Sequence, residues 1–143
     1  MTDTTLTLVR RMAASPDTVF DALTRPEQIA LWWGPDAGPV LVTETDVRVG
    51  GQFRVRFRML DGSEHESGGV YQEVVRPTRL AMTWIWAGED SHESLVEIDL
   101  RAIADGTELT FTHSRLPDKE SRDSHREGWT GALDKLERMF VSE

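Results

Sequence analysis

The sequence predicts an α+β fold, a curved antiparallel sheet of about seven strands around one long C-terminal helix. Two short helices follow the first strand. Three observations predict this. Apolar side chains recur at every second position through most of the middle of the chain, the period of a strand with one buried face. Short turn signals separate these runs, and hairpin connections make neighbouring strands antiparallel. After Pro117 the apolar spacing changes to three and four, the period of a helix.

The elements follow in order. Leu6 to Met12 reads as a first strand. Ser15-Pro16-Asp17 is a helix start, since serine caps free N–H groups, proline suits the first turn and aspartate favours the positive end of the dipole. Val19, Phe20 and Leu23 give that helix one apolar stripe. Pro26 opens a second short helix bearing Ile29, Leu31, Trp32 and Trp33, and Gly34-Pro35 stops it. A strand over Val40–Val49 breaks at Gly50-Gly51. Phe53, Val55, Phe57 and Met59 then share one face, with Arg54, Arg56 and Arg58 opposite, the pattern of a solvated outer face. Asp61-Gly62 signals a hairpin into a strand over Glu64–Val75, which ends before Pro77. Leu80, Met82, Trp84 and Trp86 share a face of the next strand, and Gly88–His92 turns the chain. Val96, Ile98 and Leu100 alternate with Glu97, Asp99 and Arg101. Asp105-Gly106 is a second tight turn, after which Leu109, Phe111 and His113 share a face. The last helix starts near Asp118 or Lys119 and runs to about Val141, with Trp129, Ala132, Leu133, Leu136, Met139 and Phe140 on its apolar side. Asp134, Lys135, Glu137 and Arg138 lie opposite.

A chain of 143 residues without repeats or linkers fits one domain with a sizeable core. No cysteine is present, so disulfides, thiolate metal sites and cysteine nucleophiles are excluded. The N-terminal stretch shows no signal-peptide pattern, and a cytoplasmic location is the default expectation. Sixteen Lys+Arg against 25 Asp+Glu give a net charge of −9, which disfavours nucleic acid and anionic membrane surfaces as partners.

One helix over a strongly bent sheet rarely fills the interior, so a pocket is expected between them. Trp33, Phe53, Phe57, Trp84, His113 and Trp129 are the expected lining. His113 lies on the apolar face by strand parity, where it could orient a ligand, move a proton, or sit as a hydrogen-bonded core residue. His125, one turn before Trp129, could point toward the sheet near the pocket mouth, although surface exposure is the leading expectation for it; His65 and His92, beside turns, are expected to be solvated. Tyr71 and Glu73 share a face of their strand; if that face is inward, they become the strongest polar candidates for the pocket. No close histidine–carboxylate or histidine pair marks a metal site, and no nucleophile or phosphate-loop motif is present, so no metal and no cofactor are expected.

Seven segments, in order and nearly end to end, resemble one family. They are RRMAASPDTVF (Arg10–Phe20), LWWGP (Leu31–Pro35), DVRVGGQF (Asp46–Phe53), GVYQEVVRPTRL (Gly69–Leu80), Thr83–Trp84, GTELTFTH (Gly106–His113) and GWTGALDKL (Gly128–Leu136). The family is the heat-shock-protein-90 ATPase activator homologue-like family, within the START-like (SRPBCC) superfamily. The resemblance implies the helix-grip fold. Members of that superfamily bind sterols, lipids, polyketides or plant hormones, and some are cyclases, dehydratases or oxygenase domains. The leading expectation, from the apolar pocket and the lack of a complete catalytic constellation, is binding of a small hydrophobic or aromatic molecule without turnover. A cyclase- or dehydratase-like enzyme using His113 or a Tyr71–Glu73 pair stays open, as do a chaperone-related interaction module and a homodimer.

Overall fold

The computed structural model describes residues 4–34, 38–87 and 92–140. Strand β1 (Leu6–Met12) leads into helices α1 (Pro16–Thr24) and α2 (Pro26–Trp32). Six strands follow: β2 (Val40–Thr45), β3 (Gln52–Arg58), β4 (Glu64–Val75), β5 (Arg79–Trp86), β6 (Ser94–Ile103) and β7 (Gly106–Ser114). Helix α3 (Lys119–Met139) closes the order. The strands form one seven-stranded antiparallel sheet in the order β1-β7-β6-β5-β4-β3-β2. Each strand from β2 to β7 pairs with its sequence neighbour, and β1 crosses over to pair with β7.

Local chemistry explains most boundaries. Ser15 caps α1 with its hydroxyl facing the Thr18 N–H, and Asp118 caps α3 by accepting from the Ser121 N–H at 2.7 Å. Strand β2 is shorter than the alternation from Val40 to Val49 suggests. Asp46 N–H donates to Gln52 O, Arg48 N–H donates back to Asp46 O, and that local turn ends the ladder at Thr45. Trp33 falls just beyond α2, as its C-cap residue. Leu31 points to solvent. Pro35, the Gly88–Ser91 part of the expected turn, and Val141 lie outside the described residues.

One face of the sheet carries the core, and α3 covers it through Trp129, Ala132, Leu133 and Leu136. Leu6, Phe111, Leu109, Val96 and Leu80 supply the facing layer. The outer face is a ladder of cross-strand ion pairs: Arg54 with Glu44 at 2.6 Å, Arg56 with Glu64 at 2.6 Å, and Arg58 with Glu64 at 3.2 Å. These are solvated and contribute little stability. Two contacts tether the flanks of α3. Arg10 on β1 pairs with Asp134, and Lys135 donates to the Trp33 carbonyl oxygen at 3.0 Å. No helix among the described residues is long and apolar enough to cross a membrane.

Leu136 is fully buried where α3 meets the sheet. Leu136→Ala is expected to lower unfolding stability by about 2–5 kcal/mol, the usual cost of a truncated core leucine. Urea unfolding checks this as a lower midpoint at unchanged slope.

Candidate functional site

Strands β3 and β5 and helix α3 bring aromatic rings to one end of the core. On β5 the inward positions are Met82, Trp84 and Trp86; on β3 they are Phe53, Val55 and Phe57. From α3 come His125 and Trp129, one turn apart, and Trp33 enters from the end of α2. Trp84 sits at the centre. It stacks on Trp33 with centroids 5.4 Å apart and planes at 22°, and meets Trp129 edge-on at 5.0 Å and Trp86 edge-on at 5.4 Å.

Beside this cluster lies a cavity of about 380 Å³. Its wall is Trp33, Gly34, Phe57, Met59, His65, Trp84, Trp86, Ser124, His125, Gly128, Trp129 and Ala132. Two features keep it open. Ser124, Gly128 and Ala132 recur every fourth residue along α3, so that stripe of the helix presents small side chains to the space. Gly34 has φ of +91°, and a Cβ there would stand 3.3 Å from the Phe57 ring, so glycine suits both the turn and the packing. The exposed residues His65 and Ser124 mark the mouth.

Hydrogen bonds determine the state of both interior histidines. An indole N–H can only donate, so His113 Nδ1 accepts from Trp129 Nε1 at 3.1 Å. The proton of His113 is therefore on Nε2, which donates to Ser94 Oγ at 2.7 Å, and Ser94 Oγ donates to the Trp84 carbonyl oxygen at 3.3 Å. His125 is the opposite tautomer. Its Nδ1 faces the Ser121 carbonyl oxygen at 2.7 Å and must donate, while Nε2 accepts from Trp86 Nε1 at 2.8 Å. The two imidazoles stand edge-to-face, 4.9 Å apart. Burial, with the nearby His125 adding to it, depresses the His113 pKa to about 3. Burial likewise lowers His125, against the opposing pull of the Ser121 carbonyl. Protonating either ring would also aim a second N–H at an indole N–H, donor against donor.

The predicted residues divide three ways. Trp33, Phe57, Trp84 and Trp129 meet in the cavity wall. Phe53, Tyr71 and His113 are buried but are not part of that wall: Phe53 packs on Trp84, Tyr71 on Phe53, and His113 on Trp84 and Trp129. Glu73 corrects the expectation of a shared inward face. A register shift between Tyr71, paired with Met82, and Glu73, paired with Ala81, inserts one residue into β4. Tyr71 therefore points inward at 2% exposure, whereas Glu73 lies outside and pairs with Arg79 at 3.2 Å. Burial, with the Asp46 carboxylate adding to it, holds the Tyr71 hydroxyl well above its ordinary pKa.

His125 takes the inward of its two expected places, near the cavity mouth, rather than the surface place that led. It is half-buried, because four-residue spacing aligns it with Trp129 on the inward side of α3. Trp86, Met59, Gly34, Ser124, Gly128 and Ala132 were not expected in the lining. The alternation of Trp84 and Trp86 signalled the first of these, and the spacing of 124, 128 and 132 could have signalled the last three. His65 and His92 are exposed; His65 nonetheless packs on Phe57 with centroids 5.7 Å apart, at the mouth. Among the described residues no group of three or more His, Asp or Glu side chains converges to hold a metal ion.

A histidine whose folded pKa lies below its ordinary value near 6.5 binds a proton more readily once unfolded. His113 thus contributes a stability that is present above pH 6.5 and lost as the pH falls toward 3. His113→Gln removes this titration. The stability gap between wild type and variant is expected to be widest at pH 7 and to narrow on acidification, as read by urea unfolding at pH 7, 6 and 5.

The architecture is shared with solved structures. A protein from Chromobacterium violaceum is 28% identical, with a TM-score of 0.86 over 97% of this chain and 99% of its own. The AHSA1 protein from Silicibacter pomeroyi is 27% identical, with a TM-score of 0.84 over 94% of this chain and 96% of its own. A Mycobacterium smegmatis protein, 20% identical, shares the fold with a TM-score of 0.86 over 99% of this chain and 93% of its own. No curated protein matches the chain. The profile of the family described as "Activator of Hsp90 ATPase homolog 1-like protein" matches residues 13–141, and the chain belongs to that family.

Proposed function

We propose that this protein binds a small hydrophobic or aromatic molecule between the sheet and α3, without turning it over. The observation that carries this reading is the cavity of about 380 Å³ walled by four tryptophans and Phe57. That volume falls within the usual range for small-molecule pockets, about 300–1,000 Å³, and an aromatic wall with few polar groups is their usual chemistry. Membership of a family with the helix-grip fold supports the same reading.

The interior histidines support binding over catalysis. Both nitrogens of His113 and both of His125 are engaged within the protein. A general base needs a free nitrogen within reach of the substrate, so neither ring is poised for that role. Tyr71 and Glu73, separated by the β4 bulge, do not form an acid–base pair.

Native mass spectrometry of freshly purified protein tests the reading. A reproducible extra mass of small-molecule size, released on denaturation, is the expected result, and a bare chain would count against a tight carrier. The control is Gly128→Leu, which places a bulky side chain at the cavity wall and replaces a poor helix former by a good one. This variant is expected to fold and to lose the extra mass; retention of that mass would place the binding site elsewhere.

A further inference from the structure

Trp86 differs in position from the other tryptophans of the wall. Trp33, Trp84 and Trp129 are buried, whereas Trp86 is half-buried. It is the last residue of β5, paired with Ser67 on β4, while the described pairing of β5 with β6 stops at Trp84. Its ring lies between the two rims of the mouth, 6.3 Å from His65 on the sheet side and 5.9 Å from His125 on the helix side, centroid to centroid. Beyond it is a second recess of about 390 Å³, walled by Arg56, Glu64, His65, Glu66, Trp86 and Ala87. Trp86 and His65 belong to both walls, so the indole stands as a partition between cavity and recess.

The partition has one directional anchor. The ring meets Trp84 and Phe57 edge-on, and its N–H donates to His125 Nε2 at 2.8 Å. That bond exists in one protonation state of the imidazole only. His125 Nδ1 already donates to the Ser121 carbonyl oxygen, so an incoming proton must take Nε2, the lone pair that holds Trp86. The titratable groups packed about His125 from other elements, among the described residues, are His113 on β7, 4.9 Å away, and His65 on β4 across the Trp86 ring. His113 stays neutral down to about pH 3. Burial places the His125 pKa below its ordinary 6.5, so the ring is neutral and holds Trp86 at pH 7, and it charges as the pH falls below 6.5.

We propose that Trp86 is a gate on the cavity, latched shut by its hydrogen bond to His125 and released when that imidazole takes up a proton. The inference rests on the binding reading above and adds how access to the same site is controlled. With the bond made, the indole closes the gap between the β4 and α3 rims and a guest is retained. With Nε2 protonated, two N–H groups face each other, the indole turns toward the recess, and cavity and recess become one space. The open population then grows with proton concentration.

Stopped-flow fluorescence with N-phenyl-1-naphthylamine, an uncharged aromatic probe, tests the gate. In the wild type, association and dissociation rates are both expected to rise as the pH falls from 7.5 to 5.5. Trp86→Phe keeps a ring beside His65 and removes the N–H. Its association rate at pH 7.5 is expected to exceed the wild-type rate about fivefold, the factor that one net hydrogen bond gives, and to be independent of pH. His125→Gln supplies a carbonyl oxygen that accepts without titrating, so slow entry at both pH values is expected. With no probe present, the indole N–H resonance of Trp86 in the wild type is expected to shift on acidification together with the His125 ring resonances. An unmoved indole resonance, or wild-type association that ignores pH, would overturn the latch and leave the binding reading intact. A pH effect on dissociation alone would trace to charge in the wall and overturn the gate. Persistence of the effect in Trp86→Phe would assign it to His65 and do the same. Failure of the probe to bind at either pH would count against the binding reading itself, and this inference with it.

Discussion

Helix α3 meets the sheet through two indole–imidazole pairs that run in opposite directions. Trp129 on the helix donates to His113 on β7, and Trp86 on β5 donates to His125 on the helix. Each pair satisfies an N–H and a ring nitrogen that would otherwise be buried unmet, and each holds an aromatic wall at a fixed angle. The carbonyl oxygen of Trp84 ends one chain and that of Ser121 ends the other. Both histidines must be neutral for this arrangement, and burial keeps them so. The polar groups near the cavity thus act mainly as struts.

The same helix supplies both closure and space. Trp129, Leu133 and Leu136 fill the core, while Ser124, Gly128 and Ala132 leave the adjoining volume open. Outer contacts hold the helix where both demands are met: Arg10 draws Asp134 toward β1, and Lys135 holds the chain at Trp33. A helix with leucines at all inward positions would bind the sheet more firmly and leave less room for a guest.

The architecture was legible because its signals are local and repeated. The alternation from Phe53 to Phe57, the Ser15 and Asp118 caps and the change of period after Pro117 each follow from short-range chemistry. The site was legible only in part. Large rings on inward positions, such as Trp33, Trp84 and Trp129, announce themselves in a sequence. Which inward rings reach the cavity surface does not, and Phe53, Tyr71 and His113 are buried without forming part of the wall. The β4 bulge lies beyond parity arguments, since one inserted residue reverses the face of everything after Tyr71. For His125 the spacing from Trp129 allowed the inward place but could not favour it, because a histidine on a charged helix looks solvated until its partner, Trp86, is known to arrive from 39 residues away in the chain.

The pairing of β1 with β7 bears on how the molecule is assembled. Strands β2 to β7 can zip up one hairpin at a time, each closing a short loop. The first strand has no partner until the last has been made, and the cavity has no roof until the helix after it arrives. A chain emerging from the ribosome must therefore carry Leu6–Met12 unpaired while nearly the whole domain is synthesised, and its tryptophan-lined sheet face stays uncovered for the same interval. The element that closes the cavity is also the one that ends this exposure, so maturation of the fold and formation of the cavity are a single late event.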